Sequence, residues 1–250
     1  MLLNSKTAIS TSTVLLVPYS KWHVPRYHEW MKDEEIQEAT ASEPLSIEEE
    51  YAMQESWRQD PDKLTFIVCL PAPGSEAGSP TQQIHDADDH PDRMVGDINL
   101  FLRIDDGEEG DAEPQIIGEI ELMIAEKTNQ RRGFGKAALY SFLRFIVDRE
   151  TEILDEFVSR DDSASQMMAE KGLVAPWKFS CLSVKIGQAN ERSLALFEGA
   201  LFRKVTEEPS YFGEFELRRH RDALGREAVD ESLRKAAVHG YSELSYGRSE

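Results

Sequence analysis

Cysteine is scarce in this chain, and its scarcity excludes one class of protein. Only Cys69 and Cys181 occur among the 250 residues, each inside an apolar run typical of a β-strand. Two cysteines provide no disulfide framework, and buried free thiols are typical of a reducing compartment. Neither has a histidine at a spacing that suggests a catalytic pair. We therefore favour core packing for both thiols over nucleophilic catalysis.

Long apolar stretches are lacking as well. No run approaches the roughly 20 residues that a membrane-spanning helix needs. Residues 1–7 contain no continuous apolar region of the kind found in secretory signals. We therefore expect no membrane partner and a location in the cytoplasm, with the nucleus as a second place.

Basic residues are in deficit. Lysine and arginine number 28 against 47 aspartates and glutamates, which gives a net charge of −19. This excess repels a nucleic-acid backbone, and no basic stripe compensates for it, so no nucleic-acid partner is expected. A cationic substrate would be attracted instead, although solvated acidic loops account for much of the charge.

No spacing in the chain matches a structural zinc site. His85 and His90 lie among aspartates in residues 71–93, a segment rich in Pro, Gly, Ser and Asp. That composition is typical of a mobile insert. A solvated acidic loop is favoured there over a metal site, and we expect no metal in this protein.

The most informative stretch is Glu119–Lys136. Ile120 and Leu122 begin an alternation of apolar with other residues that predicts a strand with one apolar face. After the stretch, apolar residues recur at helical spacing. Between strand and helix lie Gly133 and Gly135, which let the backbone approach a ligand closely. The first amides of a helix lack internal partners and carry the positive end of its dipole, so this turn is typical of a phosphate site.

Other nucleotide-binding motifs fit this turn less well. Residues 133–138 match the loose dinucleotide pattern G-x-G-x-x-G/A, but in that fold the glycines follow the strand directly, whereas residues 126–132 intervene here. No G-x-x-x-x-G-K-[ST] occurs, which excludes a Walker loop. A nicotinamide-dependent oxidoreductase is kept as a minor alternative, and glycines that only shape a tight turn are another.

Two motifs resemble the signatures of the GNAT superfamily of acetyl-CoA-dependent N-acetyltransferases. Gln130–Gly135 is similar to its pyrophosphate loop, Q/R-x-x-G-x-G/A. Asn190–Phe202 is similar to its second signature, on a helix beside the cofactor, and a predicted strand precedes each motif. Further segments, among them residues 23–31 and 95–102, resemble the N-acetyltransferase 9-like group. The resemblance covers residues 1–219, interrupted by inserts.

Runs typical of strands, broken by helices, predict a mixed α/β fold in a single domain. The resemblance implies a GNAT-like domain with a central, mixed and mostly antiparallel sheet, flanked by helices and splayed near the cofactor. Ser46–Glu49 forms a capping box that predicts the start of a helix ending before Pro61. Polar inserts are expected near residues 71–93, 105–114 and 148–177, and a polar C-terminal tail, helical or partly disordered, over 220–250.

The resemblance implies direct transfer of acetyl from acetyl-CoA to an amine, either a protein α-amine or a lysine. Glu119 and Glu121 lie two residues apart on a strand and so point the same way. Glu119 is the first candidate for the base because its separation from Gln130 matches that in lysine-acetylating relatives, and Glu121 is the second. Two carboxylates on a solvated strand face are the alternative. The resemblance assigns cofactor contacts to three groups: main-chain amides at Met123, Ile124 and Ala125; the loop residues Gln130, Arg131, Arg132, Gly133, Phe134, Gly135 and Lys136; and Asn190, Ser193 and Phe197.

Two of these residues leave alternatives open. Many members of the family carry tyrosine at the position of Phe197, where its hydroxyl protonates the leaving thiolate, and phenylalanine has no such proton. Asn190 fits equally well as a helix N-cap. An acyl-CoA-binding scaffold with little catalysis is therefore the alternative to an enzyme.

Overall fold

Nine strands join in one sheet in the part of the chain that the structure, a computed structural model, describes: residues 1–40, 42–71, 84–106 and 113–247. The strands are β1 (Thr7–Ser10), β2 (Leu15–Pro18), β3 (Lys63–Cys69), β4 (Met94–Asp105), β5 (Gln115–Ile124), β6 (Phe179–Gly187), β7 (Arg203–Lys204), β8 (Glu214–His220) and β9 (Ser242–Ser245). The helices are α1 (Val24–Trp30), α2 (Glu34–Thr40), α3 (Ile47–Gln59), α4 (Phe134–Asp148), α5 (Glu150–Arg160), α6 (Asp162–Glu170), α7 (Glu191–Gly199) and α8 (Arg226–Lys235). The spatial order of the strands is β7-β8-β6-β5-β4-β3-β2-β1-β9.

One strand pair differs from all the others. β5 and β6 are parallel, whereas the remaining neighbours in the sheet are antiparallel. The parallel pairing ends at Glu119 and Ser183, although both strands continue. Beyond that point β5 pairs only with β4, and β6 only with β8. The resulting gap between residues 120–124 and 184–187 is called the cleft below. This confirms the mixed, mostly antiparallel and splayed sheet.

Helices cover both faces of the sheet because the central strands carry apolar residues on both. Phe66 of β3 points to the face of α4, where its ring meets those of Phe142 and Phe145 at centroid distances of 5.9 and 5.4 Å. Ile67, the next residue, packs on the opposite face with Tyr27 of α1. The face of α4 and the face of α1 therefore each have their own hydrophobic core.

The predicted capping box is confirmed at the start of α3. The backbone N–H of Glu49 donates to the Ser46 hydroxyl at 3.3 Å, and the Glu49 carboxylate accepts from the backbone N–H of Ser46 at 2.8 Å. The chain turns out of the helix at Asp60, before Pro61, as predicted. Local hydrogen bonding therefore sets both ends of this helix.

Removing this cap is expected to weaken the fold measurably. Ser46→Ala leaves the Glu49 amide without its acceptor, which costs about 1 kcal/mol of the free energy of unfolding. Urea denaturation measures the loss. Ser159→Ala is the control, because that hydroxyl bonds only the Glu156 carbonyl on the surface of α5, and we expect it to change stability by less than about 0.5 kcal/mol. Equal losses in the two variants would contradict the assigned cap.

Two segments expected to be flexible are packed against the rest of the fold in their described parts. Residues 84–93 are not a mobile acidic loop: Asp89 is buried, and its carboxylate accepts hydrogen bonds from Trp22 Nε1 at 3.0 Å and from the Tyr246 hydroxyl at 2.5 Å. The tail contains a helix, as one of the two expectations had it: α8 packs on α4, and the strand β9, which was not expected, pairs with β1. Both segments are ordered because they bury side chains against the sheet. Residues 72–83, and 107–112 of the second insert, lie outside the described residues.

The third insert, 148–177, contains α5 and α6, and both pack against the core through apolar residues such as Leu154 and Met168. Cys69 and Cys181 are free and buried, and burial raises the pKa of the Cys69 thiol. Across the described ranges, no helix combines the length and apolarity needed to cross a membrane. The same residues contain no group of three or more His, Cys, Asp or Glu that could hold a metal ion.

Candidate active site

The glycine turn lies where the sequence placed it, at the start of α4. Gly133 is the N-cap residue and has φ of +87°, a left-handed conformation that favours glycine. No side chain caps this helix, and its first internal bond runs from Ala137 N–H to the Gly133 carbonyl. The amides of Phe134, Gly135 and Lys136 are therefore left for an outside acceptor, at the positive end of the helix dipole.

Cationic side chains surround these amides. Arg131, Arg132 and Lys136 are all exposed, and the Arg132 guanidinium carbon lies 5.0 Å from the centroid of the Phe134 ring. Gln130 closes the turn by donating from Nε2 to the Ile124 carbonyl at 3.2 Å. Amides and positive charges together form an anion site that suits a diphosphate.

The loop before this turn is tied to α1. The Glu126 carboxylate forms an ion pair with Arg26 and accepts from Trp30 Nε1 at 3.4 Å. The other oxygen of Glu126 accepts from Asn129 Nδ2 at 3.3 Å. These bonds hold the loop that leads from β5 to the anion site.

The start of α4 also lies directly over the cleft. A methyl group added at Gly135 would meet Ile124 Cγ1 at 3.6 Å and Leu122 Cδ2 at 3.8 Å, both on the α4 face of β5. Leu196 Cδ2 of α7 lies 4.0 Å from the same position. The anion site and the cleft are thus continuous, and α7 forms their other wall.

The main-chain amides of Met123, Ile124 and Ala125, which the resemblance assigns to the cofactor, are not equivalent as donors to the carbonyl oxygen of its acetyl group. Ala125 N–H donates to the Val95 carbonyl at 3.0 Å and is therefore already engaged with β4. The Met123 carbonyl also points to β4, where a Cβ at Gly96 would lie 1.9 Å from it, so the two strands approach closely there. Because successive amides of a strand point in opposite directions, Ile124 N–H points into the cleft. Ile124 is the one of the three that suits the oxygen.

The two candidate carboxylates occupy different surroundings. Glu119 is at the last paired position of β5 and β6, and Lys185 Nζ lies 3.2 Å from its Oε2. Glu121 lies just beyond that position, where the strands have separated, and its side chain reaches solvent. Both point to the face of α1, opposite Ile120, which packs under α4.

Glu121 has an unusual proton affinity for a carboxyl that reaches water. Although the Glu121 side chain is exposed, the protein around it withholds part of its hydration, and this desolvation raises the pKa of Glu121 to about 7. The negative charges of Asp97 and Glu119 add to this rise in the pKa, and the positive charge of Lys185 opposes it. A carboxylate with this affinity can take up a proton at neutral pH.

Sequence reasoning missed Asp97 on β4. Its carboxylate is buried and accepts from Asn99 Nδ2 at 2.8 Å and from the Tyr27 hydroxyl at 3.3 Å. Burial raises the pKa of Asp97 to about 6. The available signal was two polar residues at alternate positions, Asp97 and Asn99, in the part of β4 before Arg103, which is otherwise free of polar side chains.

The second motif lies on α7, and its residues have two structural roles. Asn190 is the N-cap, and its Oδ1 accepts from Ser193 N–H at 3.1 Å. Phe197 is buried, with its ring 5.1 Å from that of Phe202. The cap fixes the start of α7, and the aromatic pair fixes its packing beside α4.

Comparisons with known proteins agree with this geometry. The chain is 38% identical over 234 residues to the N-acetyltransferase 9-like protein of Schizosaccharomyces pombe, covering 87% of this chain and 97% of the relative. It is 39% identical over 219 residues to the human alpha/beta-tubulin-N-acetyltransferase 9, covering 87% and 85%. A GNAT-family acetyltransferase of Bacillus anthracis has a similar structure, with a TM-score of 0.51 at 12% identity over 86% of this chain and 99% of that one. The family model described as acetyltransferase (GNAT) domain matches residues 13–203. The chain therefore belongs to the GNAT family, as an acetyl-CoA-dependent N-acetyltransferase.

Proposed function

We propose that the protein acetylates the α-amine of a protein, with acetyl-CoA in the cleft and Glu121 as the proton acceptor. The observation that carries this is the end of β5–β6 pairing at Glu119 and Ser183, directly beside the uncapped start of α4. A cleft that opens between two strands and leads to an anion site suits a thioester joined to a diphosphate by a long, narrow arm.

The residues of the anion site fit the diphosphate of acetyl-CoA. The amides of Phe134 to Lys136 would hold its oxygens, with the charges of Arg131 and Arg132 beside them. The narrow arm would then follow the cleft between β5 and β6, beside α7. Acetyl-CoA supplies the activated acetyl group, and the residues of the chain orient it.

The two substrates would approach from opposite faces of the sheet. The anion site lies on the face of α4, whereas Glu119 and Glu121 point to the face of α1. An acceptor amine that enters from the α1 side reaches the thioester through the cleft. Because an amine attacks only when neutral, a carboxylate on that side is well placed to remove its proton.

Glu121 suits this role better than Glu119, which reverses the preference drawn from the sequence. The Glu119 carboxylate is engaged with Lys185 Nζ, whereas Glu121 lies in the open part of the cleft. With its pKa raised to about 7, Glu121 also matches the pH at which a general base is most effective. Ile124 N–H would donate to the carbonyl oxygen as it gains negative charge.

An α-amine is the favoured acceptor because it holds its proton less tightly. Its reference pKa is about 7.7–8.0, against about 10.4 for lysine, so a base with a pKa near 7 removes its proton more easily. The name of the human relative describes acetylation of tubulin, which supports a protein acceptor. A cytoplasmic location is part of the same proposal.

Peptides that differ in their free amine test this proposal. One has a free α-amine and no lysine, and its partner has an acetylated N-terminus and one lysine. We expect CoA release, and a gain of one acetyl by mass spectrometry, with the first peptide and at least about tenfold less with the second. Purified tubulin would serve as the protein acceptor. Preferential acetylation of the lysine peptide would contradict the assignment of an α-amine.

A further inference from the structure

A row of polar side chains crosses the face of α1 and ends at the cleft. Thr65 of β3 lies opposite Asn99 of β4, which lies opposite Glu121 of β5. Asp97 is two residues before Asn99 and therefore shares this face, diagonal to Glu121. The neighbouring positions on this face, such as Ile67, are apolar. Polar side chains in an apolar core thus converge on the proposed base.

The row is buried and only partly satisfied. Thr65 Oγ1 and Asn99 Oδ1 are buried and have no hydrogen-bond partner, and the same holds for the Tyr19 hydroxyl at the far side of Thr65. Such groups are rare in folded proteins because burial costs them their hydration. Apolar side chains would stabilise this part of the core more, so stability alone does not explain the row.

Asp97 is held firmly in this row. The same oxygen, Oδ2, accepts from Asn99 Nδ2 at 2.8 Å and from the Tyr27 hydroxyl at 3.3 Å. Within the described ranges no lysine or arginine forms an ion pair with it. The side chain is therefore held in place on the strand next to Glu121, and no cation in the described part of the chain compensates its negative charge.

The charged groups that face Glu121 come from three strands. β4 contributes Asp97, β5 contributes Glu119, and β6 contributes Lys185, the one cation among the described residues that opposes them. The helices over this face add a more distant pair, in which His28 Nδ1 of α1 lies 3.8 Å from Glu50 Oε1 of α3. Of these groups, Asp97 is the buried one that no cation neutralises.

We propose that Asp97 is a positioning residue for the acetyl transfer, and that its buried negative charge makes Glu121 the group that takes the proton of the acceptor amine. This rests on the function proposed above. The ammonium of the acceptor passes one proton to the Glu121 carboxylate, and the neutral nitrogen forms a bond to the acetyl carbon. The carbon–sulfur bond then breaks, and the sulfur of CoA leaves with the electron pair. The second nitrogen proton goes to the thiolate, directly or through water, and Glu121 returns its proton to solvent.

The direction of the effect follows from the sign of the charge. A negative neighbour raises the pKa of Glu121, so its removal must lower that pKa. A carboxylate with a lower pKa is ionised at more acidic pH but is a weaker base. The acid limb of kcat/KM should therefore move to lower pH while the plateau rate falls. Asp97 and Glu121 titrate as a pair, so the observed limb belongs to both.

The test compares pH profiles of kcat/KM for three substitutions at one position. Asp97→Asn and Asp97→Ser both remove the charge. The Ser variant replaces the Asn variant if the latter folds poorly, because the Ser hydroxyl can still form hydrogen bonds with Tyr27 and Asn99. We expect both to move the acid limb down by about one pH unit and to lower the plateau about tenfold. Asp97→Glu retains the charge and should keep the limb near its original pH. CoA affinity should be unchanged in all three.

Lys185→Met is the matched control, because it removes a positive neighbour of Glu121 instead of a negative one. The Lys185 ammonium opposes the rise in the pKa of Glu121, so its removal should move the acid limb of kcat/KM to higher pH. Neutral variants at position 97 that bind CoA but keep the original limb would overturn the proposal, as would a lower plateau without a shift. If the unsubstituted protein acetylates no amine, the proposed function itself fails, which is a distinct result.

Discussion

Replacing Glu121 with glutamine is expected to lower kcat roughly 10²- to 10⁴-fold while the affinity for CoA stays the same. The amide has nearly the shape of the carboxyl but accepts no proton at neutral pH. CoA binding is unaffected because the anion site lies on the other face of the sheet, at the start of α4. A thiol-release assay at saturating acetyl-CoA measures kcat, and calorimetry measures the affinity. The acid limb of the pH profile, expected near pH 7, should disappear with the carboxyl.

Glu119→Gln is the matched comparison for this result. The two glutamates lie on one strand and point the same way, but Glu119 is engaged with Lys185 at 3.2 Å. We expect a loss of about tenfold or less, arising from the altered charge near Glu121. A larger loss in Glu119→Gln than in Glu121→Gln would assign the base to Glu119, and the order drawn from the structure would then be wrong.

The second large effect is expected at Gly133, where φ of +87° is required for the turn. A β-branched side chain resists this conformation by about 1–3 kcal/mol, so Gly133→Val should relax the turn in the free protein. Bound CoA must then restore it, which weakens binding by about 5- to 150-fold. Steric contact is not involved, since a Cβ at this position would have no neighbour within 4 Å.

Gly172→Val separates this effect from a general loss of stability. Gly172 has φ of +68° and open space around its Cβ position, but it lies in the turn after α6, outside the anion site. Both variants should lower the free energy of unfolding by a similar amount. Only Gly133→Val should lose affinity for CoA, and equal losses of affinity would contradict the placement of the diphosphate.

Family membership also bears on two alternatives drawn from the sequence. The dinucleotide pattern at residues 133–138 occurs in a GNAT domain, so a nicotinamide-dependent oxidoreductase is excluded. The comparisons give no support to an acyl-CoA-binding scaffold with little catalysis. Phe197 still departs from the tyrosine of many relatives, and its buried ring packs on Phe202. In the proposed mechanism the leaving thiolate therefore takes its proton from the acceptor nitrogen, directly or through water.

Local signals in the sequence were sufficient for some elements and not for others. The capping box at Ser46 and the turn at Gly133 depend on residues close in sequence, and both are where the pattern predicted. β1 and β9 were missed because each is only four residues long; β9 pairs with β1 alone, across more than 230 residues of chain, whereas β1 also pairs with β2. Short strands of that kind have little periodicity of their own to detect.

For the site, too, the sequence could predict what depends on local residues but not what depends on long-range contacts. Composition and motif could identify Glu119 and Glu121 as candidates for the base. Which of the two is better placed depends on the point at which β5 and β6 stop pairing. The engagement of Ala125 N–H by Val95, and the charge of Asp97 beside Glu121, likewise depend on the register between β4 and β5. Register is a long-range property, and a single sequence specifies it only through the fold.

A crystal structure of the protein with CoA tests the central claim most directly. The measured quantities are the distances from the diphosphate oxygens to the backbone nitrogens of residues 133–136, and the position of the sulfur relative to Glu121. We expect at least two of those distances to fall within about 2.7–3.2 Å. The sulfur should lie in the cleft beyond Glu119 and Ser183, with the Glu121 carboxylate facing it from the α1 side. A diphosphate bound away from the start of α4, or β5 and β6 paired through the cleft, would contradict the account.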